Sequence, residues 1–253
     1  MRVHVALTPA EFPGLVLEGR VAVAVDVFRA TTTLVAACAA GCARLVPVPD
    51  RDAAVTAAAQ YPAAEVLLAG ERGGSMIEGF DLGNSPLEYV AERVTGRTLV
   101  FTTTNGTEAM IHARRAPVAA IAALVNVAAA ARWALDQDRD LTVLCAGEKR
   151  AFSLEDAVCA GLLVGHVRAE AASADTTDAA LAVLRLGEHY AAQLDRLAVE
   201  SEWGRKLARQ GRAADLDACL RLDTSPVVPV FEGGVIVSGP RLPDQMAAQE
   251  RVR

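Results

Sequence analysis

Aromatic residues make up 4% of this chain, although 52% of its 253 residues are apolar. A core short of rings must be built from Ala, Val and Leu, which suits closely packed helices and sheet. Lysine is scarcer still: Lys149 and Lys206 are the only two among 25 cationic residues. Arginine is therefore the default anion ligand, because its planar fork pairs bidentately with phosphate or carboxylate. No apolar run reaches the roughly 18 residues of a bilayer crossing, and "MRVHVALTPAEFPG" lacks the basic-then-apolar layout of a secretion signal. The expected location is the cytoplasm, with no membrane partner. Cys38, Cys42, Cys145, Cys159 and Cys219 are odd in number and lack CxxC spacing, so buried thiols are expected rather than a zinc site. The net charge of −6 is spread over interspersed acids and bases, and without a basic stripe there is no case for nucleic acid. His4, His112, His166 and His189 have no zinc-ligand spacing, and no Walker lysine, GxGxxG or GxSxG motif occurs. The easiest nucleotide and hydrolase readings are thereby removed.

What the chain does have is a repeated order of elements. Periodicity predicts strands at 21–25, 44–48 and 65–69 separated by helices at 31–40 and 50–60. The same order follows from strands at 98–102, 118–124 and 141–145 and helices near 105–114 and 127–136. Both halves close on Ala-Gly-Glu-basic, at 69–72 and 146–149. The expectation is an α/β fold of three layers, α/β/α, with a mostly parallel or mixed sheet and a duplicated βαβαβ unit at about 20–75 and 97–150. One domain over 1–253 is expected. Further helices near 153–171 and 178–199, a linker at 168–180, a charged region through 215–221, one or two short strands in "VVPVFEGGVIVSG" and a tail at 241–253 complete it. In such sheets ligands bind outside the carboxyl ends of the strands.

Four polar clusters fall at those ends. In "VDVFRATTT" a strand delivers Asp26 to a helix start, where free N–H groups, Arg29 and the hydroxyls of Thr31, Thr32 and Thr33 would form an anion cradle. In "AGERGGSMIEGFDLGNSPLEY" the glycines permit close approach to a ligand, Glu71, Glu78 and Asp81 offer oxygen ligands suited to Mg²⁺, and Arg72 offers an anion donor. Asn84 and Ser85 could reach a substrate, while Ser85-Pro86-Leu87-Glu88 equally fits a helix cap. In "FTTTNGTEAM" Asn105 and Glu108 fit a cap; Thr102, Thr103 and Thr104 are left for a second cradle. In "CAGEKRAFSLEDAVCAG" Ser153 and Asp156 have capping-box spacing, and one of Glu148, Glu155 and Asp156 is a candidate for a metal or catalytic role.

With "DVFRATTT", "GERGGSMIEGFDLGNSP", "TTTNGT" and "AGE…SLEDAVCAG" in that order, and a weaker "DLDACLRLDTSPVVPVF", the chain resembles the 2-phosphosulfolactate phosphatase (ComB-like) family from about 21 to 231. The resemblance implies a Mg²⁺-dependent phosphatase that converts 2-phospho-3-sulfolactate to 3-sulfolactate on the route to coenzyme M. Residues 172–215 are the least family-like, and no site residue is assigned there. The resulting expectation gives Mg²⁺ to Asp26, Glu71 and Asp81, anions to Arg29, Arg72, Asn84, Ser85, Asn105 and the threonine runs, and a water-activating role to Glu148 or Glu155. Asp26 as a nucleophile is the alternative, weakened by Phe28 where haloacid-dehalogenase-type phosphatases carry a second Asp. A non-catalytic anion binder is the other class; the several carboxylates disfavour it, since they would repel an anion without a cation between. A homodimer is left open.

Overall fold

The structure, a computed structural model, describes residues 1–239; the tail at 241–253 lies outside the described residues. The first half runs β1 (Arg2–Ala6), β2 (Val21–Val25), α1 (Ala30–Ala39), β3 (Arg44–Pro47), α2 (Arg51–Ala58), β4 (Val66–Arg72), β5 (Ser75–Met76) and the single-turn α3 (Ala91–Val94). The second runs β6 (Thr98–Thr102), α4 (Gly106–Ala113), β7 (Val118–Ala122), α5 (Val127–Leu135) and β8 (Leu141–Cys145). Then come α6 (Leu154–Glu170), β9 (Asp175–Thr176), α7 (Asp178–Tyr190), α8 (Leu197–Glu200), α9 (Glu202–Arg209), α10 (Ala213–Cys219), β10 (Pro229–Glu232) and β11 (Val235–Ser238).

β2 shows why these residues make a central strand. Its VAVAV sequence is fully buried, with Val21, Val23 and Val25 on one face and Ala22 and Ala24 on the other. The valines belong to one apolar cluster with residues of α5, α6 and α7, and each fully buried one contributes about 1.5–3 kcal/mol. The alanines leave room for α1 and α4 to approach the opposite face. α2 covers the far face of β3, β4 and β6 through Val46, Val100 and Leu68. Helices therefore lie on both faces of a mixed, mostly parallel sheet, as expected. Asp50, Ser153 and Thr177 start α2, α6 and α7 by accepting backbone N–H groups.

The strand order is β5-β4-β6-β3-β11-β10-β7-β2-β8-β1-β9. β6 lies between β3 and β4, and β2 lies between β7 and β8, in parallel pairings throughout. Each half thus inserts its first strand between the second and third strands of the other. The antiparallel β10–β11 hairpin joins the two groups, pairing β10 with β7 and β11 with β3.

Several boundaries differ from expectation. β1 was not expected; it extends the sheet beside β8 and carries β9, which forms inside the proposed linker. β4 continues to Arg72, because Gly73 and Gly74 take positive φ (+64° and +97°) and make a two-residue hairpin turn into β5 rather than an open loop. The helix expected through 199 stops at Tyr190, where the Gln193 N–H turns back to the Tyr190 carbonyl. All five cysteines are buried free thiols. Among the described residues no helix is long and apolar enough to cross a membrane.

Candidate active site

α1 and α4, which follow β2 and β6, meet at their N-termini. A methyl group on Gly106, the first residue of α4, would stand 2.5 Å from Asp26 Oδ2 and 2.6 Å from Ala30 Cβ. Only glycine allows this approach, which sets the buried Asp26 between two helix starts. Asp26 Oδ1 accepts the Ala30 N–H at 3.3 Å.

The hydroxyls expected to cradle an anion have other partners. Thr31 Oγ1 donates to the Asp26 carbonyl (2.8 Å), Thr32 Oγ1 to the Val27 carbonyl (2.9 Å) and Thr33 Oγ1 to the Asn84 carbonyl (3.1 Å). All three are buried, so the run braces the strand-to-helix turn rather than facing a ligand. In the second run Thr103 Oγ1 accepts the Thr107 N–H and caps α4, Thr102 Oγ1 accepts from Arg72 Nη2 (2.9 Å), and only Thr104 is exposed. Thr103 and Thr104 line a 370 Å³ cavity with Pro49, Thr107, Glu108, Ile111 and His112.

The glycine turn is tied to the same place. Glu71 is buried and accepts two backbone N–H groups, from Gly74 to Oε2 (2.6 Å) and from Thr104 to Oε1 (2.7 Å). Gly70 makes this possible: its φ is +146°, and a Cβ there would fall 1.9 Å from the Thr102 carbonyl oxygen. Arg29 is 2% exposed and bound within the protein, with Nη1 on Asp215 Oδ2 (2.5 Å) and Nη2 on the Gly74 carbonyl (2.9 Å). Its Nε and the Asn84 Oδ1 are buried without a partner among the described residues, each a cost of about 1–3 kcal/mol unless a ligand or water meets it. Ser85 makes no cap; its hydroxyl donates to Asp215 Oδ1, while Glu88 accepts the Gly83 N–H instead of closing a capping box. Neither Asp215 nor Gly106 was singled out from sequence. Asp215 sits in the weakest motif, and nothing in its spacing signals a partner 186 positions away.

Between β6 and α4, Asn105 turns away from its cap and reaches the segment that follows β8. Its Nδ2 donates to Glu148 Oε2 (2.6 Å), and its Oδ1 accepts the Lys149 N–H (3.0 Å). Ser153 caps α6, but Asp156 does not complete the box: it accepts the N–H groups of Val27 (2.8 Å) and Gly147 (3.0 Å), clamping the ends of β2 and β8. Glu155 is buried and, with Glu148, lines a 210 Å³ pocket that includes Lys149, Phe152, Glu202 and Trp203. The other lysine, Lys206, lies 3.8 Å over the Trp203 ring.

Five carboxylates thus surround the helix junction. Burial pushes Asp26 up to about 7 against the pull of the Ala30 N–H, and the charges of Glu71, Glu155 and Glu148 add to the rise. Burial likewise raises Glu155, and it raises Asp156 well above the usual carboxylate range. Buried oxygen donors that repel one another suit a hard divalent cation, which would offset the repulsion that raises Asp26. They do not form a finished cage: among the described residues no three acidic, His or Cys side chains stand close enough to hold an ion. Asp81 is not in this group. It is exposed, and its Oδ2 accepts the Leu68 N–H (2.8 Å) on the edge of β4, so the metal role expected for it has no support in its position.

The model of the family described as 2-phosphosulpholactate phosphatase matches residues 6–234. The chain belongs to this family. A protein of Gloeobacter violaceus named "Probable 2-phosphosulfolactate phosphatase" is 41% identical over 231 residues, covering 90% of this chain and 96% of that one. One of the same name from Symbiobacterium thermophilum is 40% identical over 225 residues, covering 89% and 97%. A third, from Clostridium botulinum, is 30% identical over 239 residues, covering 94% and 99%. The 2-phosphosulpholactate phosphatase match spans α9 and α10, so Asp215 lies within the matched segment.

Proposed function

We propose that the protein is a Mg²⁺-assisted phosphomonoester hydrolase acting on a small anionic acid, with 2-phospho-3-sulfolactate as its substrate. One observation carries this reading: two helix N-termini converge on a buried carboxylate that is flanked by further carboxylates. Helix starts attract the anion, while the acids would repel it unless a cation stood between. Asp26 and Glu71 would hold the cation. When bound, it supplies charge neutralisation for the phosphoryl oxygens.

The chain's own groups do the rest. The α1 and α4 N-termini orient the phosphate, and Arg72, with Thr102 fixing its Nη2, adds a guanidinium at the rim. Arg29 acts as an internal tie, because both of its terminal nitrogens are committed to the protein. Glu148 is the better candidate to accept a proton from water, since the Asn105 amide fixes one oxygen and leaves the other free. Glu155, held up by burial, is suited to keep a proton and donate it to the leaving alkoxide.

The test is phosphate release from a panel of small phosphorylated acids, with Mg²⁺ and with chelator. Turnover of 2-phospho-3-sulfolactate that falls at least about 100-fold on chelation is the expected result. Undiminished activity in chelator removes the metal, and no release from any member of the panel removes the hydrolase.

A further inference from the structure

We propose that Asp215 is a positioning residue: acting through Arg29 and the Gly73–Gly74 turn, it sets the orientation of the Glu71 carboxylate. The path is continuous. Asp215 Oδ2 accepts from Arg29 Nη1 at 2.5 Å, Arg29 Nη2 donates to the Gly74 carbonyl at 2.9 Å, and the Gly74 N–H donates to Glu71 Oε2 at 2.6 Å. The second Glu71 oxygen accepts the Thr104 N–H at 2.7 Å, which joins the path to the start of α4. Asp215 Oδ1 accepts the Ser85 hydroxyl, so one carboxylate fixes α10, the start of α1 and the 83–86 segment at once. From the adjacent helix, Gln210 Nε2 donates to the Gly73 carbonyl at 3.2 Å and holds the same turn from outside.

A purely stabilising role is the weaker account of this pair. Arg29 and Asp215 are 2% and 4% exposed, and a buried ion pair often adds no net stability over apolar residues of the same volume. What it does give is direction. A guanidinium fixed at one nitrogen by a carboxylate presents the next at a set angle, here to the carbonyl of a turn that two positive-φ glycines otherwise leave free to shift. The turn's N–H then orients Glu71, which has no side-chain donor of its own.

The inference rests on the proposed function only in taking Glu71 as part of the working site, and its test separates the two. Asp215→Asn in the full chain should raise amide exchange at Gly74 and Thr104 by about 10-fold and lower kcat/KM by about 10–100-fold. Combined with Glu71→Gln, it should cost no more than Glu71→Gln alone, because both changes act on one path. Ser85→Ala, which removes one contact without leaving Arg29 unpaired, should show a smaller rise in exchange and serves if Asp215→Asn does not fold. A lowered Tm with wild-type exchange at Thr104 makes Asp215 a brace only, and multiplying losses in the double variant make it independent of Glu71; either overturns the proposal. If no phosphomonoester is turned over, the exchange measurement still decides it.

Discussion

Asp26 is an acid that the fold prefers to keep protonated when no cation is near. Its ordinary pKa of 3.8 is pushed up to about 7 by burial and by neighbouring carboxylates. The folded chain therefore binds that proton more tightly than the unfolded one. The associated stability is fully present below about 4 and is lost as pH rises through about 7. In chelator, the Tm of the wild-type protein should fall between pH 4 and pH 8, with Glu155 and Asp156 adding to the slope in the same direction. Asp26→Asn, a neutral isostere, should match wild type near pH 4, melt several degrees higher at pH 8, and lose activity. Thermal melts of both across that range decide the matter; a variant that melts at or below wild type at pH 8 would show that Asp26 is not held against its charge. The place of Asp26, buried where β2 gives way to α1, was legible because an acid after an apolar run is conspicuous. The fate of the threonine hydroxyls was not, since "TTT" reads the same whether its protons go to a phosphate or to the Asp26, Val27 and Asn84 carbonyls.

At the scale of elements, close approach through glycine decides two contacts of different purpose. A Cβ at Gly161 of α6 would lie 1.9 Å from the Val183 carbonyl, and one at Gly187 of α7 would lie 2.7 Å from Gly161 C, so these helices cross backbone to backbone. Gly161→Ala should destabilise by about 1–3 kcal/mol or more, with activity per folded molecule retained in the cold. Gly106→Ala instead pushes α4 away from Ala30 and Asp26 at the helix junction, and kcat/KM should collapse more than Tm does. Denaturant titration and steady-state kinetics on both variants check the contrast; equal effects on stability and turnover in the two would refute it. The ten core elements of the two halves were readable from period-2 and period-3.6 patterns within a residue or a few. β1, "RVHVA", was missed because five residues carry little periodicity, although the prolines of "TPAEFPG" that follow could have marked its end, and β9 because two residues acquire strand form only by pairing with β1. Gly106 and Gly161 look like any helix glycine until the opposing backbone is known.

Across the whole molecule, the expected order of elements was right, but the pairing could not be read from it. Periodicity says that "VAVAV" is a buried strand; it does not say that its neighbours are β7 and β8, about 100 and 120 positions away. Exchange of first strands has a mechanical consequence. Residues 1–96 contain β2 without either neighbour, and they contain β3 and β4 without the β6 that separates them. Each half would leave apolar strand edges unpaired, and Asp26 would lack the α4 start that completes its surroundings. A chain cut after Gly96, in the turn before β6, should therefore give two fragments that show no cooperative melt alone. On mixing they should recover one transition and phosphatase activity, with a rate that depends on concentration because each fragment supplies the other's central strand. Far-UV dichroism of the 1–96 fragment is the sharpest measurement: a cooperative, native-like unfolding transition in that fragment by itself would mean that its strands can pair without the second half, contrary to the exchanged sheet.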